Sequence, residues 1–370
     1  MQYCQMQKIF MSGKLIKAMI ASGLNRLSLF LVYYRSYAAL LVFVYFYKKA
    51  MESAQYIAYL LSEPRKVSCV KASEVLEVSH DEINRFLLSN NFRGKDLFEA
   101  VKAGLKLEGG VLSADDSVLD KPFTDPDTTE LVGFFYSGRH HRTVKGVNLI
   151  TLVYTDASGI GFPVNFRVYR HREGKTKHDY FREMIKECWQ WGLSPRWVSA
   201  DSWYASVENL KFLRNQEVGF LVGLETNRIV SAAPGCYGQV GKIEHIAQEG
   251  LFTHLKGFDF VKVFRTVDTE GHVRHYAMYL PDREECRGIS RERFKEVKAQ
   301  HWHVEECFRT IKQECHAQHF FVRQTQAIQN HLFCVLRAFQ RHVDESGQDH
   351  RKCICPAKKA IPAGAEGIHF

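Results

Sequence analysis

The order of strand-like and helix-like segments between residues 111 and 215 constrains the fold more than any other feature. In chain order, the sequence predicts strands at 111–119, 144–156 and 160–170, a helix at 178–191, a strand at 196–201 and a helix at 204–215. Three antiparallel strands followed by helix, strand and helix predict a mixed α/β sheet flanked by helices.

The segments around this block have a different texture. Residues 66–89 predict two short helices, the second starting at a capping box formed by Ser79 and Glu82. This pair fits either a helix-turn-helix that enters the DNA major groove or an ordinary helical hairpin. Residues 216–289 return to strands and turns, and two helices follow at 291–316 and 325–343.

Most of the excess positive charge lies in the first 50 residues. The chain carries a formal charge of +9, but residues 1–50 hold seven Lys or Arg and no acid, so the remainder is only +2. Residues 27–47 are apolar enough to suggest a membrane anchor, yet Arg35 lies near their centre, where it is costly. We expect 1–50 to be a non-native extension upstream of a start at Met51, and no membrane partner.

Cysteine usage bears on the compartment. The ten cysteines contain no CxxC pair and are too sparse for a disulfide scaffold, which favours a reduced cytoplasmic protein.

The first strand carries two adjacent acids. Alternation places Asp116 on the face that also carries Leu112, Ala114 and Val118, and leaves Asp115 as the solvated neighbour. A buried carboxylate needs a partner or a metal, so Asp116 is the candidate site residue. A frayed strand end with both acids in water is the alternative.

Two further acids follow predicted elements. Asp201 ends a strand where α/β sites collect, although it would equally serve as a helix N-cap. Glu305 shares a helix face with His301 and Lys312, beside Arg309, a pattern that also suits a solvated, self-paired face.

Two Asp from strands and a Glu from a helix can together hold two divalent ions for phosphoryl transfer. Such ligands suit Mg²⁺, and Lys312 and Arg309 would then hold DNA phosphates.

The segments VLSADDSVLDKPF, RWVSADSWYAS and HWHVEECFRTIKQ resemble the three acidic motifs of bacterial insertion-sequence DDE transposases. The most similar branch is the insertion-sequence-four-like one, whose RNase H-like core carries a β-rich insertion before the Glu. The resemblance extends over about 55–342, and the gaps between the acids are 85 and 104 residues. It implies a helical DNA-binding region at 51–105, an RNase H-like core at 106–215, a β-rich insertion at 216–289 and the rest of the core at 290–345. Composition sets apart the leader at 1–50 and a tail at 346–370, which is polar, contains Pro and Gly and is expected to be disordered.

The resemblance also implies roles for single residues. Asp116, Asp201 and Glu305 would form the metal-binding catalytic triad. The Tyr-Arg-Glu-Lys signature of the branch is half kept, because Lys298 and His301 stand at its first two positions. DNA contacts are expected, and the residues for them are Lys312, Arg309, His301, Lys298 and Trp203, the last by stacking on an unpaired base.

The implied function is a transposase that cleaves the ends of its element and transfers the strands into target DNA. Two Mg²⁺ ions, or Mn²⁺, would be its cofactors, and terminal inverted repeats and target DNA its partners. A homodimer in a synaptic complex and a place at the bacterial nucleoid are implied as well. The alternatives are an inactive DNA-binding relic or repressor, and another RNase H-like nuclease such as a junction resolvase.

Overall fold

The computed structural model describes residues 51–63, 67–138, 140–233, 235–243, 245–318 and 322–346. The elements form one unit that begins at Glu52. The helices are α1 (Ser53–Ser62), α2 (Cys69–Leu76), α3 (His80–Ser89), α4 (Gly94–Glu99), α5 (Lys177–Gln190), α6 (Val207–Asn215), α7 (Arg283–Arg287), α8 (Arg291–Gln313) and α9 (Thr325–Ser346). The strands are β1 (Val111–Asp120), β2 (Val132–Ser137), β3 (Arg142–Thr155), β4 (Gly161–Val168), β5 (Trp197–Ala200), β6 (Gly219–Leu224), β7 (Ile229–Ala233), β8 (Cys236–Gln239), β9 (Leu251–Leu255), β10 (Phe260–Val267) and β11 (Val273–Tyr279).

Both predicted ends of the chain fall largely outside this description. The leader at 1–50 lies outside the described residues, and so does the tail from 347 onward, whereas Ser346 ends α9. No helix in the described part of the chain combines the length and the apolar character that crossing a bilayer requires.

Strand β1 is the centre of the core sheet. It pairs antiparallel with β3 along its whole length and in parallel with β5. On either side, β3 pairs antiparallel with β4, and β5 pairs in parallel with β6. Strand β5 and most of β3 are buried along both faces, as expected for strands covered by helices on both sides. The predicted fold class, a mixed α/β sheet flanked by helices, is confirmed.

Helices α8 and α5 cover opposite faces of β1. Lys312 of α8 donates a hydrogen bond to the Ser117 hydroxyl, whereas Lys177 of α5 binds the carboxylate of the preceding residue, Asp116. Because successive strand residues point to opposite faces, the two helices must lie on different sides of the sheet. The two acids of β1 therefore face different helices.

The later strands extend the same sheet beyond β6. β11 pairs antiparallel with β6, and β10, β9, β7 and β8 follow in that order. The segment 216–289 thus shares its first strand, β6, with the parallel core, and the strands that belong only to the extension begin at β7. This extension separates the core strands from α8 along the chain.

Strand β2 lies at the other edge of the sheet, outside the predicted elements. It pairs with residues 142–147 of β3, while β4 pairs with residues 149–155 on the same side. Strands β2 and β3 together form a ribbon, called here the β2–β3 ribbon. Gly146 of β3 lies beside β1, and a Cβ there would meet the Leu119 carbonyl oxygen at 2.5 Å. Only a glycine permits so close an approach of two backbones.

The predicted helix pair near the N-terminus corresponds to α2 and α3. The Ser79 side chain accepts a hydrogen bond from the Glu82 backbone N–H at 3.2 Å and caps α3. Helix α2 is only partly buried, because Ala72 is enclosed but Val75 is 46% exposed. A role for this pair in DNA binding stays a prediction.

Helix α9 holds the N-terminal helices against the core. Its Asn330 amide donates to the Leu87 carbonyl oxygen at the end of α3, at 2.7 Å, and His331 shares a 2.9 Å hydrogen bond with Tyr56 of α1. Further along, the Gln340 amide donates to carbonyl oxygens of α4 and β4. The last helix of the described unit therefore anchors α1, α3 and α4.

Candidate active site

Asp115 faces the acids that come from β5 and α8. Burial raises the pKa of its carboxyl well above the usual range, and the negative charges of Asp201, Glu305 and Asp116 raise it further. Its Oδ1 accepts one hydrogen bond, from the Asp116 backbone N–H at 2.7 Å. The residue that alternation assigned to solvent is thus the one that shares an electrostatic environment with Asp201 and Glu305.

Asp116 is held by three donors on the other face of the sheet. Its Oδ2 accepts from Lys177 Nζ at 2.7 Å and from Asn148 Nδ2 at 2.6 Å, and its Oδ1 accepts from the Tyr204 hydroxyl at 2.9 Å. The Asp116 and Lys177 side chains are only 15% and 21% exposed, so water screens this ion pair weakly. Asp116 is a paired carboxylate that ties β1 to α5 and to the loop after β5.

Asp201 lies directly after β5, at the carboxyl edge of the parallel strands. Its Oδ1 accepts hydrogen bonds from the Trp203 and Tyr204 backbone N–H groups, so it closes a turn. It does not cap the following helix, because Ser206 does so. Loss of surrounding water raises the pKa of Asp201 to about 6, with the charge of Asp116 adding to the effect, although the residue as a whole is exposed.

Glu305 lines two cavities. The smaller, about 390 Å³, is also lined by both acids of β1, Asp115 and Asp116, and by Lys312. The larger, about 750 Å³, is also lined by Asp201. Glu305 is exposed, and no ion pair to it is found among the described residues. Glu305 is therefore solvated, as the alternative of a solvated, self-paired face expects, but it is not paired along its own helix, and its charge acts on Asp115.

The cations predicted to contact DNA surround the acids. Lys312 Nζ donates to the Ser117 hydroxyl at 2.5 Å, and the Arg309 guanidinium lies 5.4 Å from the centre of the Trp302 ring. Both cations line the smaller cavity. Because Trp302 is half exposed, this Arg–Trp pair presents a charged, planar surface to solvent.

The two residues that replace the Tyr and Arg of the signature line the larger cavity. The Lys298 ammonium lies 4.7 Å from the centre of the Tyr276 ring. Burial, with the nearby Lys298 charge, lowers the pKa of His301 to about 4, so the imidazole is neutral at physiological pH. No hydrogen-bond partner of His301 Nδ1 is found within the described part of the chain.

Trp203 and Tyr204, which follow Asp201, have different environments. Trp203 is 62% exposed, and Lys177 Nζ lies 5.9 Å from its ring centre. Tyr204 is buried and stacks on Phe181 at 5.2 Å. Trp203 is therefore accessible to a nucleic acid, whereas Tyr204 belongs to the core and serves the site through its hydroxyl.

A divalent cation fits the chemistry of the donors at this edge. Carboxylate oxygens are the ligands that Mg²⁺ prefers, and a bound cation relieves the repulsion that raises the pKa of Asp115. Over the residues that the structure describes, no three His, Cys, Asp or Glu side chains converge closely enough to hold an ion as they stand. The acids are gathered here without forming a complete coordination shell.

Three residues of the candidate site were not predicted as functional residues: Asp115, Lys177 and Asn148. Alternation distinguishes a wet face from a dry one only when one face of the sheet meets water. Here helices cover both faces of β1, so the pattern carried no information about which acid is solvated. Nothing near Lys177 in the sequence marks a partner 61 residues away.

Comparison with known proteins places this geometry in context. A family model described as "Transposase DDE domain" matches residues 110–339. Among solved structures, the chain is similar to the piggyBac transposase synaptic complex with hairpin DNA, at 12% identity and a TM-score of 0.44. That match covers 82% of this chain and 65% of the other, so the chain spans slightly less than two thirds of its length. No curated protein sequence matches.

Proposed function

The chain belongs to the transposase DDE domain family, and we propose that it cuts DNA at the ends of a mobile element and joins the freed strands to target DNA. The observation that carries the proposal is the gathering of Asp115, Asp201 and Glu305 at one sheet edge, beside a cationic cavity wall. Acids together with phosphate-binding cations suit phosphoryl transfer on DNA.

Asp115, Asp201 and Glu305 would hold Mg²⁺ or Mn²⁺. This set differs from the expectation of Asp116, Asp201 and Glu305, because Asp116 is committed to Lys177, Asn148 and Tyr204. A metal held by these residues would supply activation of a water or a 3′-hydroxyl and stabilisation of the leaving oxygen.

Asp116 is a positioning residue in this proposal. Its bonds to Lys177 and Tyr204 fix β1 relative to the turn that carries Asp201, since Tyr204 also donates its backbone N–H to Asp201. The bond between Asp116 and Tyr204 thus helps to hold β1 beside the end of β5, so that Asp115 and Asp201 lie close together.

The DNA backbone would be bound by the cations of α8. Lys312 and Arg309 line the cavity that contains Asp115 and Glu305, where a scissile phosphate would need charge-assisted hydrogen bonds. Lys298 lines the larger cavity and would contact the DNA backbone there. Trp203, whose ring lies 5.9 Å from Lys177 Nζ, would stack on an unpaired base. Helices α2 and α3 are proposed to bind the terminal repeat, and two protomers to bind a pair of ends.

One observation favours a second candidate, a DNA-binding relic with weakened catalysis. The branch that the sequence resembles carries Arg where this chain has His301, and this imidazole is neutral at physiological pH. A neutral donor holds a phosphate less tightly than a guanidinium does.

The test is a Mg²⁺-dependent cleavage and strand-transfer assay on DNA that carries the element's end repeats. Wild type is compared with Asp115→Asn, Asp201→Asn and Asp116→Asn, and Mn²⁺ binding is measured in parallel by calorimetry. We expect Asp115→Asn and Asp201→Asn to lose both activity and metal binding. Asp116→Asn should keep metal binding and lose stability. If Asp116→Asn abolishes metal binding and Asp115→Asn does not, the assignment of the two acids is reversed. An inactive wild type that still binds end DNA would support the relic.

A further inference from the structure

The β2–β3 ribbon presents two large aromatic side chains to solvent. Phe134 and Tyr136 are 68% and 66% exposed, and as residues i and i+2 of one strand they share a face. β2 ends the order of the described strands, so this face lies at the open edge of the sheet. An exposed aromatic pair in a folded protein commonly marks a binding surface.

The ribbon is anchored, and its exposed face is therefore fixed in place. Phe135 points the other way and packs edge-on against Tyr169 at 5.9 Å. At the tip, His140 Nε2 hydrogen bonds to Asp120 Oδ2 at 3.0 Å, which ties the turn to the end of β1. A platform held from both sides loses little conformational entropy when a ligand stacks on it.

The same ribbon reaches the acidic site. Tyr136, Ser137 and Gly138 line the 390 Å³ cavity together with Asp115 and Glu305. The strand that carries the exposed aromatics therefore forms one wall of the cavity whose other walls carry the acids.

The positive charges around the cavity indicate which kind of ligand this wall binds. Lys312 and Arg309 line the cavity, and Lys145 stands opposite Phe134 in the β2–β3 register. Aromatic rings for bases and cations for phosphates are the two components of single-strand binding surfaces. Bases within a duplex are already stacked on each other, so only unpaired bases can use such rings.

We propose that Phe134 and Tyr136 form a stacking platform that holds unpaired DNA bases beside the cavity of Asp115 and Glu305. The two residues act by positioning the strand, and Tyr136, at the cavity wall, receives the base nearer the acids. This inference rests on the proposed function, since it takes DNA as the ligand.

The test compares a single-stranded oligonucleotide containing 2-aminopurine with a blunt duplex of the same sequence, in Ca²⁺ so that no strand is cut. Binding is followed by anisotropy and stacking by quenching of the 2-aminopurine. The variants are Tyr136→Ala, Phe134→Ala and the conservative Tyr136→Phe. Phe123→Ala is the matched control, because Phe123 is 92% exposed and does not line the cavity.

We expect Tyr136→Ala and Phe134→Ala each to weaken single-strand binding by about fivefold or more and to relieve quenching, without changing duplex binding. Tyr136→Phe should restore wild-type quenching, and Phe123→Ala should have no effect.

Equal losses on single strand and duplex, or unchanged quenching, would overturn the proposal. So would a change of oligomeric state in Tyr136→Ala by analytical ultracentrifugation, because the face would then contact a second copy. Strand transfer by wild type is scored separately: an active enzyme with unchanged quenching refutes only the platform, and an inactive one questions the function.

Discussion

Replacing Asp201 by Asn should stabilise the metal-free protein while it removes activity. The pKa of Asp201 rises from 3.8 to about 6 on folding, mainly through lost hydration. A shift of that size corresponds to about 3 kcal/mol for a fully shielded group. Because Asp201 is exposed as a residue, screening by water reduces the expected gain to about 1 kcal/mol. In a chain of this size that is about 2 °C in Tm.

The pH dependence gives the prediction its sign. The folded protein binds the Asp201 proton more tightly than the unfolded chain, so the stability of wild type falls as pH rises from about 4 to 6. Above about pH 6 the ionised Asp201 destabilises the folded wild-type protein by the full amount. The advantage of Asp201→Asn should therefore be complete near about pH 7.5 and shrink progressively as the pH falls toward about 4.

The assay is thermal unfolding with a chelator present, at both pH values. Asp268→Asn is the control of opposite sign, because hydrogen bonds from the His272 and Glu270 backbones lower the pKa of that exposed Asp. Saturating Mg²⁺ should raise the Tm of wild type and leave Asp201→Asn unchanged. An Asn variant that is less stable than wild type at neutral pH, or whose gain does not shrink in acid, would refute the reasoning about this carboxylate.

Three further substitutions test the framework around the site. Lys177→Met leaves the partly buried Asp116 carboxylate without its cation and should cost about 2 kcal/mol in urea unfolding. Tyr204→Phe removes one hydrogen bond to the same carboxylate and should cost about 1 kcal/mol, with strand-transfer kcat falling and unfolding still cooperative. Gly146→Ala places a Cβ against the Leu119 carbonyl oxygen and should cost about 2 kcal/mol, whereas alanine at Gly138, where nothing lies within 4 Å, should be tolerated. A tolerated Gly146→Ala would show that the ribbon can shift away from β1.

Local patterns predicted the elements that carry the site. The helix predicted at 291–316 is α8 (Arg291–Gln313), and its periodicity placed Glu305 and Lys312 on one face. The strand predicted at 196–201 is β5, which positions Asp201 directly after its end. Apolar periodicity and turn residues act over a few positions, and that range suffices for single elements.

Long-range packing decided what local patterns could not. Choosing between Asp115 and Asp116 required knowing that helices cover both faces of β1, a property of the assembled fold. β2 was not predicted, because Val132–Ser137 carries apolar side chains toward both faces and lacks alternation. The parallel pairing of β6 with β5 likewise depends on a crossover and leaves no local signature.

The anchoring of α1, α3 and α4 by α9 has a consequence for synthesis of the protein. The first helices leave the ribosome long before their partners Asn330, His331 and Gln340 are synthesised. Their apolar faces therefore stay exposed to solvent until translation is nearly finished. Contacts this distant in sequence also make folding slow. We therefore expect copies shortened before residue 325 to aggregate or be degraded. A frameshift or internal stop late in the gene would then remove the protein altogether and leave no folded N-terminal fragment.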